Sequence, residues 1–340
     1  MKKTLIALAA VAVSSAAMAQ VTVSGKYAVA YTSTESSTGV KASGFRTTDG
    51  DVVFSGAEDI GGGMKAGASL ALKLRGRDSA VTATSTHSTV TPAETVTTTV
   101  SGASSSDSVN GRDATVYLQG GFGRITLGSI EAGNGIIGRA SAGAGIIGQD
   151  SGTVLDGAAN VDMMTLALPL SKELTATVML IDSIGSPGAG GMQAAAATQD
   201  ATLIGLAYAA GPISAGLDHT TFGRNSAAAT ATDSRTRVSV SYDLGAAKVG
   251  AGYQTKETYA GVADKQMMFG VTVPMGAITL GANYATRDND SNALDASGYE
   301  VGGSYAFSKR TALAAYYMSQ ELDGAANATT QLRVRLIHSF

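Results

Sequence analysis

Three histidines, His87, His219 and His338, are the residues best suited to general-base or metal chemistry, and none stands at the spacing of a nucleophile or metal-ligand motif. Cysteine is absent. That excludes a thiolate nucleophile, a Cys-ligated zinc or iron–sulfur centre and a disulfide scaffold, and suits an oxidising compartment. Two strings match G-x-G-x-x-G, Gly133-Asn134-Gly135-Ile136-Ile137-Gly138 and Gly143-Ala144-Gly145-Ile146-Ile147-Gly148. A dinucleotide site needs that motif between a buried parallel strand and an amphipathic helix. Here the two copies follow each other ten residues apart with no such helix, so they read as a repeated loop sequence. The expectation is a protein that is not an enzyme and carries no cofactor. With 24 basic against 27 acidic residues and a net charge of -3, there is also no basic face for nucleic acid.

The chemistry that remains is electrostatic, and it depends on which side of an element each charge faces. In Ser234 to Leu244, Val238, Val240, Tyr242 and Leu244 alternate with Arg235, Arg237, Ser239, Ser241 and Asp243. In Met64 to Arg75, Ala66, Ala68, Leu70, Leu72 and Leu74 oppose Lys65, Gly67, Ser69, Lys73 and Arg75. Gln331 to Phe340 sets Leu332, Val334, Leu336 and Phe340 against Arg333 and Arg335. Each segment is a strand with one lipid-compatible face and one wet face. Charged residues make up 15% of the chain, against about 25% in ordinary soluble domains. With 43 Gly and 5 Pro in 340 residues, extended chain and tight turns are favoured over packed helices.

Met1 to Ala19 reads as an export leader: Lys2 and Lys3, the apolar run Leu5 to Val13, then Ala17-Met18-Ala19 as an A-x-A cleavage site. Its apolar run is about half of the ~20 residues a spanning helix needs. The mature chain then begins at Gln20, has 340 − 19 = 321 residues and, without Lys2 and Lys3, a net charge of -5. The longest later apolar window, Ala201 to Leu217, is 17 residues and is cut by Gly211-Pro212, which reads as strand, turn, strand. An exported, moderately apolar chain of this kind enters a membrane as a closed barrel.

Connections alternate between short and long. Short ones fall at residues 58–62, 120–123, 169–172, 210–212, 244–246, 274–276 and 307–309; long polar ones fall near 33–50, 76–112, 131–161, 184–199, 224–233, 258–264, 289–296 and 321–330. Seven turns and eight loops join sixteen strands. The expected fold is therefore all-β: a transmembrane antiparallel barrel of 16 strands over residues 20–340, with short periplasmic turns and long extracellular loops. The second loop is Ser/Thr-rich, and Thr95 to Val100 within it could extend a hairpin beyond the membrane. The third, Glu131 to Val161, carries apolar Gly-Ile-Ile-Gly pieces that fit a solvated loop poorly, and is expected to fold back into the barrel.

The leader, the opening strand VTVSGKYAVAY, the block SGAEDIGGGMKAGASLAL, the hairpin GGFGRITLGS followed by a long loop, and the terminal RVRLIHSF together resemble the Gram-negative general-diffusion porins of the betaproteobacterial type. The resemblance spans the mature chain. It implies a homotrimer in the bacterial outer membrane, a third loop that narrows the pore, and a terminal Phe340 recognised by the barrel assembly machinery. By position it matches Lys26, Arg46, Arg75 and Arg124 to a basic wall at the pore constriction, and Glu131, Asp150 and Asp156 to third-loop carboxylates. That loop also carries Arg139 and departs from the usual loop motif, which leaves open which of its groups line the eyelet.

The function expected is passive diffusion of small hydrophilic solutes and ions through the lipid-embedded barrel. Strand parity turns Lys26, Lys65, Lys73, Arg75, Arg124, Arg235, Arg237, Lys248, Lys256, Arg287, Arg333 and Arg335 inward, against Asp51, Asp113, Asp218, Asp243 and Glu300. A modest anion preference follows despite the negative net charge, carried mainly by Arg75, Arg124, Arg46 and Lys26. A sugar-specific porin would instead want a file of lumen aromatics, whereas most aromatics here share the lipid-facing parity. A surface adhesin or β-solenoid would show a fixed internal repeat, and none is present.

Overall fold

The computed structural model describes residues 21–74, 81–91, 94–104, 110–141, 153–182, 200–223, 229–291 and 295–340, with 81–91, 94–104 and 110 described as backbone. The leader, Arg75, Asp150 and the second Gly-Ile-Ile-Gly copy lie outside the described residues.

Strands run in chain order as β1 (Thr22–Glu35), β2 (Lys41–Gly61), β3 (Met64–Lys73), β4 (Val81–Thr91), β5 (Glu94–Ser104), β6 (Asn110–Gly120), β7 (Gly123–Ala132), β8 (Ala159–Pro169), β9 (Leu174–Asp182), β10 (Ala201–Ala210), β11 (Ile213–Phe222), β12 (Thr232–Asp243), β13 (Lys248–Thr258), β14 (Ala263–Met275), β15 (Ile278–Asn289), β16 (Ala296–Ala306), β17 (Thr311–Leu322) and β18 (Thr329–Ser339). All but β4 and β5 form one closed ring of sixteen antiparallel strands, with β18 pairing back to β1. Closure leaves no unpaired sheet edge in lipid. β4 and β5 pair only with each other, as a two-stranded sheet within the second loop. That hairpin contains Thr95 to Val100.

Each of the seven short turns overlaps its expected place, although the first, expected at 58–62, is only Gly62-Gly63 because β2 stays paired through Gly61. At the first, Gly62 and Gly63 adopt φ of +63° and +75°, a left-handed conformation that other residues resist. The first long loop is shorter than expected. β1 and β2 stay paired from Thr22↔Ser55 to Glu35↔Lys41, leaving only residues 36–40 between them. A polar stretch such as KASGFRTTDGD reads as loop, yet the ladder uses only backbone N–H and C=O groups and can continue beyond the lipid.

The outward face is apolar all round: Val23, Tyr31, Leu70, Val116, Leu127, Ile204, Val240, Phe269, Tyr284 and Leu336 are among its exposed side chains. The inward face is polar over β12–β16, with Arg237, Ser239, Gln254, Gln266, Asn283 and Glu300 buried along it, and apolar over β8–β10, where Val161, Ile181 and Ala201 are buried. One irregularity decides how charges enter the lumen. Opposite Ala28 and Val29, the register of β2 skips Thr48, so Lys26 faces Asp51 while Ala30 faces Arg46. This bulge turns residues of opposite parity, Asp51 and Arg46, to the same inner face.

The seam between first and last strands is closed by the chain end. Gly25 N–H donates to the Phe340 carbonyl at 2.9 Å, and Phe340 N–H donates back at 3.0 Å. The Phe340 ring covers Gly25 so closely that a Cβ there would stand 2.8 Å from Cε2. Deleting Phe340 removes both bonds and the ring, a loss of about 2 kcal/mol from the bonds alone. The deletion should reduce the heat-modifiable form recovered in the membrane and lower the temperature at which it unfolds on gels. Gly25→Val should do the same with the terminal residue intact, and wild-type behaviour of both would count against this clasp.

Candidate functional site

The described parts of the third loop, 133–141 and 153–158, lie against the inner wall. After β7 the loop forms one short helical turn, α1 (Ile137–Ala140), which rests on β12, β13 and β14. Ile136, Ala140, Val154 and Leu155 are fully buried there with Met268 and Ala285, beside Ala296, an apolar core on the inner wall; a second one, around Val161, Ile181 and Ala201, lies on the inner side of β8, β9 and β10. Burying a Val, Leu or Ile side chain is worth about 1.5–3 kcal/mol, and this is where the first Gly-Ile-Ile-Gly string goes. The wall directly beneath α1 is glycine at three positions. A Cβ at Gly250 would come 2.7 Å from the Ala140 carbonyl oxygen, one at Gly270 would come 2.7 Å from Ser141 Cα, and one at Gly252 would come 2.8 Å from Ile136 Cβ.

Two charged residues pin the loop. Arg139 lays its guanidinium over Gly216 and donates from Nε to Ser214 Oγ at 3.2 Å. Asp156 accepts from Lys256 Nζ at 2.7 Å, Gln254 Nε2 at 2.7 Å and Gln266 Nε2 at 3.0 Å, while its N–H donates to Gln266 Oε1 at 3.0 Å. Lys256 also reaches Asp264 at 3.2 Å, and Arg287 pairs with the same carboxylate at 2.5 Å. Arg237 is held by Asp218 at 2.8 Å.

A second charged group occupies β1, β2, β6, β7 and β18, Glu131 standing at the end of β7 and not in the loop. Asp49 pairs with Lys26 at 2.9 Å and Arg335 at 3.2 Å. Arg112 bridges Asp51 at 2.6 Å and Glu131 at 2.9 Å. Arg46 shares this face through Ala30, which also pairs with Arg335, and Arg333 lies over the Tyr316 ring at 5.3 Å. Among the described residues, Arg46 and Arg333 in this group have no carboxylate partner, and elsewhere on the wall Arg124, Arg139 and Arg235 have none either.

A closed, polar-lined sixteen-strand barrel with a loop docked inside is a channel architecture. The family model described as Gram-negative porin matches residues 4–325. The chain belongs to the Gram-negative porin family. Solved structures agree on the fold. An anion-selective porin from Comamonas acidovorans matches with TM-score 0.66 at 19% identity, over 95% of this chain and 100% of that one. OmpT of Vibrio cholerae, in its trimer form, matches with TM-score 0.65 at 12% identity, over 95% and 99%. Salmonella typhi OmpF, in complex with daunomycin, matches with TM-score 0.67 at 11% identity, over 95% and 98%. The search among curated proteins gave no match. The chain is thus a general diffusion channel of the bacterial outer membrane, and family and fold mark it as a channel, not an enzyme.

Within the porin, the residues singled out from the sequence separate. Lys26, Arg46 and Glu131 lie in the group on β1, β2 and its neighbours. Arg139 and Asp156 lie on the far end of the third loop, both committed to the wall. Arg124 is apart from either, one residue beyond the Gly123 turn with its guanidinium 3.7 Å from the Tyr117 ring centroid. Arg112 escapes sequence reasoning. Its parity follows outward Ala114 and Val116, but a register shift between Leu70 and Leu72 turns it inward to Asp51. Arg333 and Arg335 were legible as inward from the alternation of the last strand; that they meet Arg46 was not.

Asp156 gives a pH prediction. Burial acts to raise its carboxyl pKa, but Lys256, Gln266 and Gln254 outweigh it and hold the group below its ordinary 3.8. A lowered pKa means the docking contribution is complete above the ordinary value and is lost as pH falls through the depressed one. The loop should stay quiet near neutrality and loosen only in acid below about pH 4. Asp156→Asn, at a cost of about 1–3 kcal/mol to docking, should raise open-channel current noise at pH 7 and remove the acid transition. Wild-type noise in that variant would show that the pin is dispensable.

Proposed function

We propose that this porin passes small hydrophilic solutes and ions with a modest anion preference, and that Arg46 with Arg333 supplies most of the selecting field. The observation that carries this reading is the pairing pattern. Lys26, Arg112, Arg237, Lys256, Arg287 and Arg335 are each met by a carboxylate, and their fields largely cancel at a distance. Arg46 and Arg333 keep theirs. In an opening narrower than the Debye length of about 8 Å at physiological salt, uncancelled wall charge outweighs net charge in choosing the ion. The likeness to the Comamonas porin, itself named as anion-selective, supports the sign.

Tyr117, Phe222 and Tyr316 face inward, and each lies beneath an arginine, Arg124, Arg235 and Arg333. They form no free aromatic file for a sugar, which favours general diffusion. Export by cleavage before Gln20, insertion by the barrel assembly machinery and assembly as a homotrimer complete the proposal, the last supported by the trimer form of Vibrio OmpT. Single channels in planar bilayers should give stepwise ohmic currents, and a KCl gradient should give a reversal potential of anionic sign that shrinks as salt rises. A clear cationic sign would end the selectivity proposal.

A further inference from the structure

The hollow beside Arg124 belongs neither to the third-loop anchor nor to the Arg46 group. Tyr117 faces inward opposite Gly67, and its ring lies flat on that glycine: a Cβ at Gly67 would stand 2.6 Å from Cζ. Arg124 stacks on the exposed face of the same ring, with Nε donating to Thr126 Oγ at 3.3 Å. The guanidinium is thereby held flat while its Nη edge meets no described carboxylate. Next to it opens a hollow of about 370 Å³ lined by Thr22, Ser55, Ala57, Ser69, Tyr117 and Arg124. Thr22, Ser55 and Ser69 follow one another in register across β1, β2 and β3. Their hydroxyls bond to no other described side chain or carbonyl.

We propose that this hollow is a weak binding site, at the periplasmic end of the pore, for small hydroxycarboxylates of the sugar-acid type. A flat, pre-oriented guanidinium matches a carboxylate in bidentate fashion. The three hydroxyls in a row offer donors and acceptors to a solute carrying hydroxyl groups along its length. The volume suits a solute of six or seven carbons, at the low end of small-molecule sites. The short turn at Gly121-Phe122 places the site at the exit from the lumen. A solute that has passed the loop meets it last.

The proposal rests on the channel reading and is tested with the whole protein in planar bilayers, using sodium gluconate, glucose and sodium acetate as probes. Gluconate added on the side of the short turns should reduce single-channel current saturably, with half effect on the order of 1–10 mM. Acetate and glucose, each carrying half of the recognised chemistry, should need at least tenfold more. Expressed against each variant's own open-channel current, Arg124→Gln should weaken gluconate block at least tenfold. Tyr117→Leu, which keeps the charge but frees the guanidinium, should weaken it severalfold. Equal block by glucose, or undiminished block in Arg124→Gln, would overturn the site. Absence of any stepwise current would instead overturn the channel reading itself.

Discussion

Replacing Gly250 and Gly270 together by Leu should cut single-channel conductance by roughly half, because a close-packed contact has no room for added methylenes and the movable element must shift. The movable element is the third loop. At both positions the first atom of a side chain collides with loop backbone, the Arg139 and Ala140 carbonyls above Gly250 and Ala140 with Ser141 above Gly270. Backbone cannot rotate aside as a side chain end can. The strands beneath are fixed by ladders on both sides, so displacement goes toward the lumen axis. The Ile136 and Leu155 contacts are lost with it. Ala251→Leu, one residue along β13 on the lipid face, is the control and should conduct as the unmodified protein does. If the inward pair also conducted normally, the loop would not be seated on these glycines.

Charge reversal of Arg46 and Arg333 to Glu should turn the channel from anion-preferring to cation-preferring. Two changes from positive to negative swing the local charge by four units. At about 6 Å in water each unit is worth about 0.7 kcal/mol to a passing ion, so the permeability ratio should move by at least tenfold at low salt and by less at high salt. Lys26→Glu also swings the charge by two units and leaves Asp49 to Arg335 alone, so it should move the ratio in the same direction. Reversal potentials in a KCl gradient read all three. An Arg46 and Arg333 double variant that kept an anionic reversal potential would move the selecting field elsewhere on the wall.

The barrel, its sixteen strands and all seven turns were legible in the sequence because each rests on local rules. Alternation has a period of two, and a tight turn is written in two to four residues, so segments such as Ser234 to Leu244 declare their faces without reference to neighbours. Faces held wherever the ladder was regular: Val238, Val240 and Tyr242 do point outward, and Arg237, Ser239 and Ser241 inward. Tertiary structure decided the rest. The bulge at Thr48 exists only as a register between two strands, and through it Arg46 and Asp51 share a face that their parity denies them. Arg112 enters the lumen by a similar shift on β6. The third loop's resting place depends on glycines of β13 and β14 about a hundred residues further along, and Asp156 finds Lys256, Gln254 and Gln266 there. Composition could say that this loop was too apolar for water. Only the closed ring, by bringing distant strands beneath it, could say which charges it would cancel and which it would leave facing the pore.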